Sequence, residues 1–195
     1  MAAKLMAFAG STRAGSYNQR LVDIASRHAR EAGADVTEIR LKDFALPLYD
    51  EDLEASAFPE KAHELRALFI AHDGFLIASP EYNGGVTSVL KNAIDWASRP
   101  LPGEPMSALT AFRGKVAGVM SASISPFGGL RGIIQLRHIL GTIQTLAATE
   151  NILVPLASKA FDGDALVDPM PAQLLPVMVR RVVQLATALS PRLNS

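Results

Sequence analysis

The chain has 195 residues, enough to bury a substantial core, and reads as one domain over residues 1–195. Apolar residues make up 49% and charged residues 19%, a globular balance that excludes a disordered chain. Nineteen basic residues cancel nineteen acidic ones and cysteine is absent, which speaks against a nucleic-acid or membrane partner and excludes disulfides, thiolate metal sites and thiol nucleophiles.

Residues 5–9 are a short, unalternating apolar run, the pattern of a strand buried on both faces of a parallel sheet. The following loop holds Gly10, Ser11, Thr12, Arg13, Gly15, Ser16 and Asn18. A helix is expected over residues 21–32, with Asn18 as its N-cap and Gly33 as its stop. Residues 36–41 alternate and read as a more exposed strand nearer an edge. Residues 42–59 form a long connection containing Pro47, Tyr49 and the acids Asp50, Glu51, Asp52 and Glu54. A helix over 60–71 leads to a buried strand over 74–78. That strand runs into Ser79-Pro-Glu-Tyr-Asn-Gly-Gly85, a loop of clear turn chemistry. Thr87 is placed to cap a helix over 88–97, and residues 99–113, with three prolines, read as loop. A fourth strand over 116–121 opens into the loop 122–129, rich in serine and glycine. Then come a helix over 131–149, a fifth strand over 151–157 whose Pro155 suits an edge or a strand end, a polar loop over 161–169, and a last helix over 172–189. The opening residues lack the long apolar stretch of a signal peptide, and no run reaches the roughly 18 residues of a membrane helix. The expected setting is the cytoplasm.

Strand and helix alternate five times, which predicts an α/β, doubly wound parallel sheet. In such sheets ligands sit outside the carboxyl ends of the strands, where strand order reverses. The polar loops after the first, third and fourth strands therefore share one sheet edge.

The first loop joins a strand to a helix start, where unpaired amides and the helix dipole attract anions. Ser11, Thr12 and Ser16 add hydroxyls and Arg13 adds a fixed charge. The loop lacks both the Gly-Lys-Ser/Thr ending of an ATP-type loop and Gly-x-Gly-x-x-Gly, so a terminal phosphate of a mononucleotide such as FMN suits it. On these residues alone an ordinary strand–helix turn stays open. In the second loop Gly84 and Gly85 allow backbone to approach a flat ligand, Asn83 offers hydrogen bonds and Tyr82 a ring, with a solvated turn as the plain alternative. The third loop supplies Ser121, Ser123, Ser125 and two glycines. His28, His63, His72 and His138 have no metal-ligand spacing and read as surface or satisfied histidines. No Gly-x-Ser-x-Gly elbow is present, and Trp96 reads as core or interface.

Taken together, Gly10-Ser-Thr-Arg-Ala-Gly-Ser-Tyr-Asn18, Ser79-Pro-Glu-Tyr-Asn83 and Leu90-Lys-Asn-Ala-Ile-Asp-Trp96 resemble the NADPH-dependent FMN reductase family, which includes quinone and chromate reductases and related azoreductases. The resemblance implies a flavodoxin-like sheet in the order 2-1-3-4-5, helices on both faces and bound FMN. It places Ser11, Thr12, Arg13, Ser16, Tyr17 and Asn18 at the FMN phosphate. Pro80, Glu81, Tyr82, Asn83 and Gly84 would meet the isoalloxazine ring, with Ser123 near it from the third loop. No side chain is assigned as catalytic acid or base, since hydride moves from NADPH or NADH to the flavin N5 and electrons pass on to an acceptor such as a quinone, an azo compound, free flavin or chromate. Relatives often carry a bulky residue where this chain has Gly84. The resemblance also implies a homodimer or homotetramer, with the 50–58 loop and the Trp96 helix as interface elements. Two other classes remain: an FMN electron carrier without its own nicotinamide site, which the zero net charge disfavours, and a non-catalytic regulator on the same fold.

Overall fold

The computed structural model describes residues 2–105 and 107–190. Its centre is a five-stranded parallel sheet in the order β2-β1-β3-β4-β5, made of β1 (Lys4–Ala9), β2 (Asp35–Arg40), β3 (Gly74–Ala78), β4 (Val116–Ala122) and β5 (Leu146–Val154). β1, β3 and β4 bury essentially every residue, which is why their sequences carry no polar alternation. β2 alternates and lies at one edge, as expected.

Side chains leave a strand on alternate faces, so each central strand feeds two cores. Leu5 and Ala7 of β1 and Leu76 of β3 pack with Leu21, Val22 and Ala25 of α1 (Tyr17–Glu31) and with Met178, Val179 and Val182 of α7 (Pro169–Leu189). Met6 and Phe8 of β1, with Phe75 and Ile77 of β3, meet α3 (Glu60–Ala71), α4 (Ser88–Ala97) and α5 (Leu130–Thr142) through Leu65, Phe69, Leu90 and Leu136. Phe69, Phe75 and Phe112 interlock in this second core, with ring centroids 4.8–6.0 Å apart. No helix among the described residues is long and apolar enough to cross a membrane.

Several boundaries differ from expectation. α1 begins at Tyr17 with Ser16 at the N-cap position, not Asn18. The long connection holds a short helix, α2 (Glu51–Ser56), capped by Asp50, whose carboxylate accepts from the Asp52 and Leu53 amides at 2.8 and 3.0 Å. Its acids therefore sit at the positive end of a helix dipole. α5 stops at Thr142 instead of 149, and β5 starts at Leu146. The stretch between contains Thr142, Ile143 and Thr145, whose branched side chains hold a helix weakly, and Gln144 at φ 62°. Thr145 Oγ1 then donates to the Phe112 carbonyl at 3.0 Å and turns the chain into the sheet. β5 ends at Val154, directly before Pro155. The polar 161–169 stretch contains a small antiparallel pair, β6 (Phe161–Asp162) with β7 (Ala165–Leu166), preceded by α6 (Ala157–Ala160). Trp96 is fully buried and its indole N–H donates to the Pro47 carbonyl at 2.8 Å, pinning the long connection to α4.

Candidate functional site

The first, second and third loops leave the carboxyl ends of β1, β3 and β4 and are tied together at that edge. Gly10 N–H donates to the Ala78 carbonyl at 2.8 Å, Ser79 N–H to Met120 at 2.9 Å and Ser123 N–H to Val154 at 3.0 Å. Thr87, the expected cap of α4, donates from Oγ1 to the Gly10 carbonyl at 2.7 Å while accepting from the Leu90 amide at 3.3 Å.

Between the loops lies a cavity of about 420 Å³, within the usual range for a small-ligand site. Ser11, Arg13, Ser16, Tyr17, Asn18, Pro80, Glu81, Tyr82 and Ser123 line it, joined by Ala122 and Ile124. Thr12, Asn83 and Gly84 do not line it; Thr12 faces a neighbouring cavity and Asn83 lines a shallow one on the far side of the second loop. Ile124, 71% exposed, was not read from the sequence. An isolated apolar residue inside a serine-rich loop was the signal available for it.

Each loop is shaped by its own chemistry. Ser16 is almost fully buried at the N-cap position of α1, yet it makes no capping hydrogen bond, so its hydroxyl is unspent on the helix. The Arg13 guanidinium donates to the Gly15 carbonyl at 3.0 Å and lies 5.7 Å from the Tyr17 ring, which stacks on Phe161. In the second loop Tyr82 and Gly85 exchange backbone hydrogen bonds of 3.0 and 2.9 Å. Asn83 and Gly84 between them have φ of 51° and 79°, a two-residue turn of the type that Asn-Gly favours. The turn stands Tyr82 out at the cavity mouth, 56% exposed.

Two of the residues expected at the flavin, both lining the cavity, also tie its walls together. Asn18 Nδ2 donates to the Ala122 carbonyl at 2.7 Å and its Oδ1 accepts from the Ala122 amide at 2.9 Å, both buried. Its amide is a latch between the first and third loops; it does not cap because it already lies inside the first turn of α1 and both its amide atoms are spent on Ala122. Glu81 Oε2 accepts from the Arg131 and Gly132 amides at 2.9 and 3.2 Å, and Oε1 accepts from Arg131 Nε at 2.7 Å. The N-cap position of α5 is Gly129, which has no side chain to cap the helix. Glu81 supplies that cap from the second loop. Burial works to raise its pKa, but the Arg131 guanidinium and the two amides outweigh it and hold the carboxyl below its ordinary range. Glu81 thus fixes the third loop against the second while its carboxylate is turned to α5.

A family model for NADPH-dependent FMN reductases matches residues 3–158. A NAD(P)H-dependent FMN reductase of Pseudomonas aeruginosa is 37% identical over 162 residues, 82% of this chain and 82% of that protein. A NAD(P)H:quinone oxidoreductase of Solanum tuberosum is 38% identical over 70% of this chain and 66% of its own length. Among solved structures, the flavoenzyme NAD(P)H:(acceptor) oxidoreductase FerB of Paracoccus denitrificans is 26% identical, with a TM-score of 0.77 over 96% of this chain and 98% of that one. An archaeal flavodoxin, 10% identical at a TM-score of 0.59, shares the fold.

Proposed function

The chain belongs to the NADPH-dependent FMN reductase family, an oxidoreductase family that works with FMN and NAD(P)H, and from that premise we propose that the cavity between the three loops seats FMN and passes electrons to quinone-class acceptors. The observation that carries the reading is one cavity at the carboxyl edge lined by all three loops, with Ser11 and Ser16 from the first, Tyr82 from the second and Ser123 from the third. The residues present fit the cofactor. The Ser16 hydroxyl has no capping duty and its residue lines the cavity, Arg13 supplies a cation, and Tyr82, Pro80 and Ile124 add apolar surface beside which a ring system fits. The flavin, when bound, supplies the two-electron chemistry that links the nicotinamide to the acceptor.

The protein's part is positioning. Ser11 and Ser16 would hold the phosphate through their hydroxyls, and Arg13, which here donates to the Gly15 carbonyl, would balance its charge. The Asn18 latch and the Glu81 cap hold the walls of the cavity at fixed spacing, so little ordering is left to do on binding. Thr12 and Tyr17 would contribute backbone amides at the rim of the phosphate end, and Pro80, Asn83 and Gly84 shape the hairpin that would border the ring. Tyr82 and Ile124, both exposed at the mouth, offer an apolar surface to a flat acceptor. The reading extends to a homodimer or homotetramer in the cytoplasm, which sedimentation and localisation measurements address.

Anaerobic addition of NADPH to the FMN-loaded protein tests the function. Bleaching of the flavin absorbance, reversed by a quinone, is the expected result. FMN uptake without bleaching would establish the electron-carrier class instead, and a protein that takes up no FMN would overturn both.

A further inference from the structure

The phosphate loop has a second side. Ser11, Arg13 and Ser16, which border the flavin cavity, also wall a separate cavity of about 230 Å³. It is closed by Gln19, Arg20 and Asp23 of α1 and by Arg40 and Lys42 at the end of β2. Four cations, Arg13, Arg20, Arg40 and Lys42, face one acid there, a local balance of +3 in a chain whose total charge is zero. Asp23 is itself shared: Oδ1 accepts from Gln19 Nε2 at 2.8 Å and stands 3.9 Å from the Arg40 guanidinium. Among the described residues neither Lys42 Nζ nor the Arg20 guanidinium has a hydrogen-bond or ion-pair partner; Arg20 lies 5.7 Å over the Tyr17 ring. Like charges gathered in a concavity repel one another and focus a positive potential, which an anion relieves.

We propose that this cavity is a second phosphate subsite, filled by a phosphate carried on an adenosine. The inference rests on the flavin reading above, because the shared wall of Ser11, Arg13 and Ser16 puts the subsite next to the proposed FMN phosphate. The chemistry asks for a phosphate rather than a carboxylate: two arginine forks and a lysine besides Arg13 match its several oxygens, and the cavity has room for little more than that group and part of a sugar. Two nucleotides used in flavoenzyme chemistry carry such a phosphate. NADPH carries it on the adenosine 2′-oxygen, where NADH has none, and FAD carries it as the adenylyl phosphate joined to the one FMN already has.

The test uses the FMN-loaded protein and the double variant Arg40→Ala/Lys42→Ala, whose side chains lie outside the flavin cavity. In the first arm, calorimetric titration with 2′,5′-ADP and with 5′-AMP reads the 2′-phosphate directly. Binding of 2′,5′-ADP about tenfold tighter than 5′-AMP in the wild type, with the gap closing in the variant and FMN affinity unchanged, assigns the subsite to NADPH. In the second arm, FMN-free protein is titrated with FAD and FMN. A tighter affinity for FAD that the variant alone loses assigns the subsite to the dinucleotide flavin. No preference in either arm, or a preference that survives both substitutions, overturns the proposal. Failure to bind FMN at all appears before either arm is read and overturns the flavin reading together with it.

Discussion

Asn18 separates two accounts of the first loop. If its amide latches the third loop, Asn18→Ala removes two buried hydrogen bonds, of 2.7 and 2.9 Å, and leaves the N–H and C=O of Ala122 unpaired in a residue only 4% exposed. Each orphaned buried group costs about 1–3 kcal/mol. Water entering from the adjoining cavity recovers part of that, so a net loss of about 3 kcal/mol is expected. For a chain of this size such a loss lowers the melting temperature by roughly 6–12 °C. The assay is urea unfolding of the FMN-free protein, where no cofactor contact contributes. Asn18→Asp keeps the acceptor for the Ala122 amide but sets an oxygen against the Ala122 carbonyl, so it falls short of wild type as well. If Asn18 served instead as a phosphate ligand, the FMN-free midpoint would hold within the small scatter of neutral substitutions while FMN affinity fell. That result would refute the latch.

The Glu81 cap predicts a pH signature. Its folded-state pKa is depressed, so its stabilisation is present at neutral pH, above the unfolded carboxyl value, and is lost as pH falls through the folded value. Glu81→Gln therefore lowers the unfolding free energy from urea titration at pH 7 by an amount typical of a lost cap, about 1 kcal/mol, and flattens the acid limb of the stability profile. His72 acts in a higher window: burial first, then the nearby Lys115 charge, lowers its pKa, so the folded state resists protonation and stability drops as pH falls through the unfolded histidine range. A His72→Gln variant should lose that slope in the same titration. Gly129→Ala forces a side chain to φ 85° and puts Cβ 1.9 Å from Ser121 Oγ. A cost of at least about 2 kcal/mol is expected by thermal melting, of which Ser121→Gly in the same chain recovers the clash but not the backbone strain.

The fold was legible because its signals are redundant. Unalternating runs at 5–9, 74–78 and 116–121 mark the buried strands, and the loops after them carry turn residues that cannot continue a strand. The misplaced boundary at residues 142–151 has a local cause. β5 runs out of register with β4 between Ala117 and Val119, and Arg137 reaches back to the Ala148 carbonyl at 2.6 Å across the irregularity. A strand with a register break does not keep a two-residue period, so its first half looked like the end of a helix. At the site, residue type and loop position were enough to gather most of the cavity wall. What they could not resolve was allocation. Asn18 and Glu81 have the right chemistry for a ligand, but their hydrogen bonds go to Ala122 and to α5, partners 104 and about 50 positions away. Such pairings follow from the tertiary fold and leave no local trace. The basic cavity is hidden for the same reason, since Arg20 and Lys42 meet only when β2 is laid beside β1.

The most direct test of the central claim compares the affinities of the FMN-free protein for FMN and for riboflavin, which differ only in the phosphate. Fluorescence titration should show FMN binding at least about a hundredfold tighter, with Ser16→Ala and Arg13→Ala each narrowing the gap and leaving riboflavin binding nearly unchanged. Equal affinities for the two flavins would contradict a phosphate held at the loop between β1 and α1.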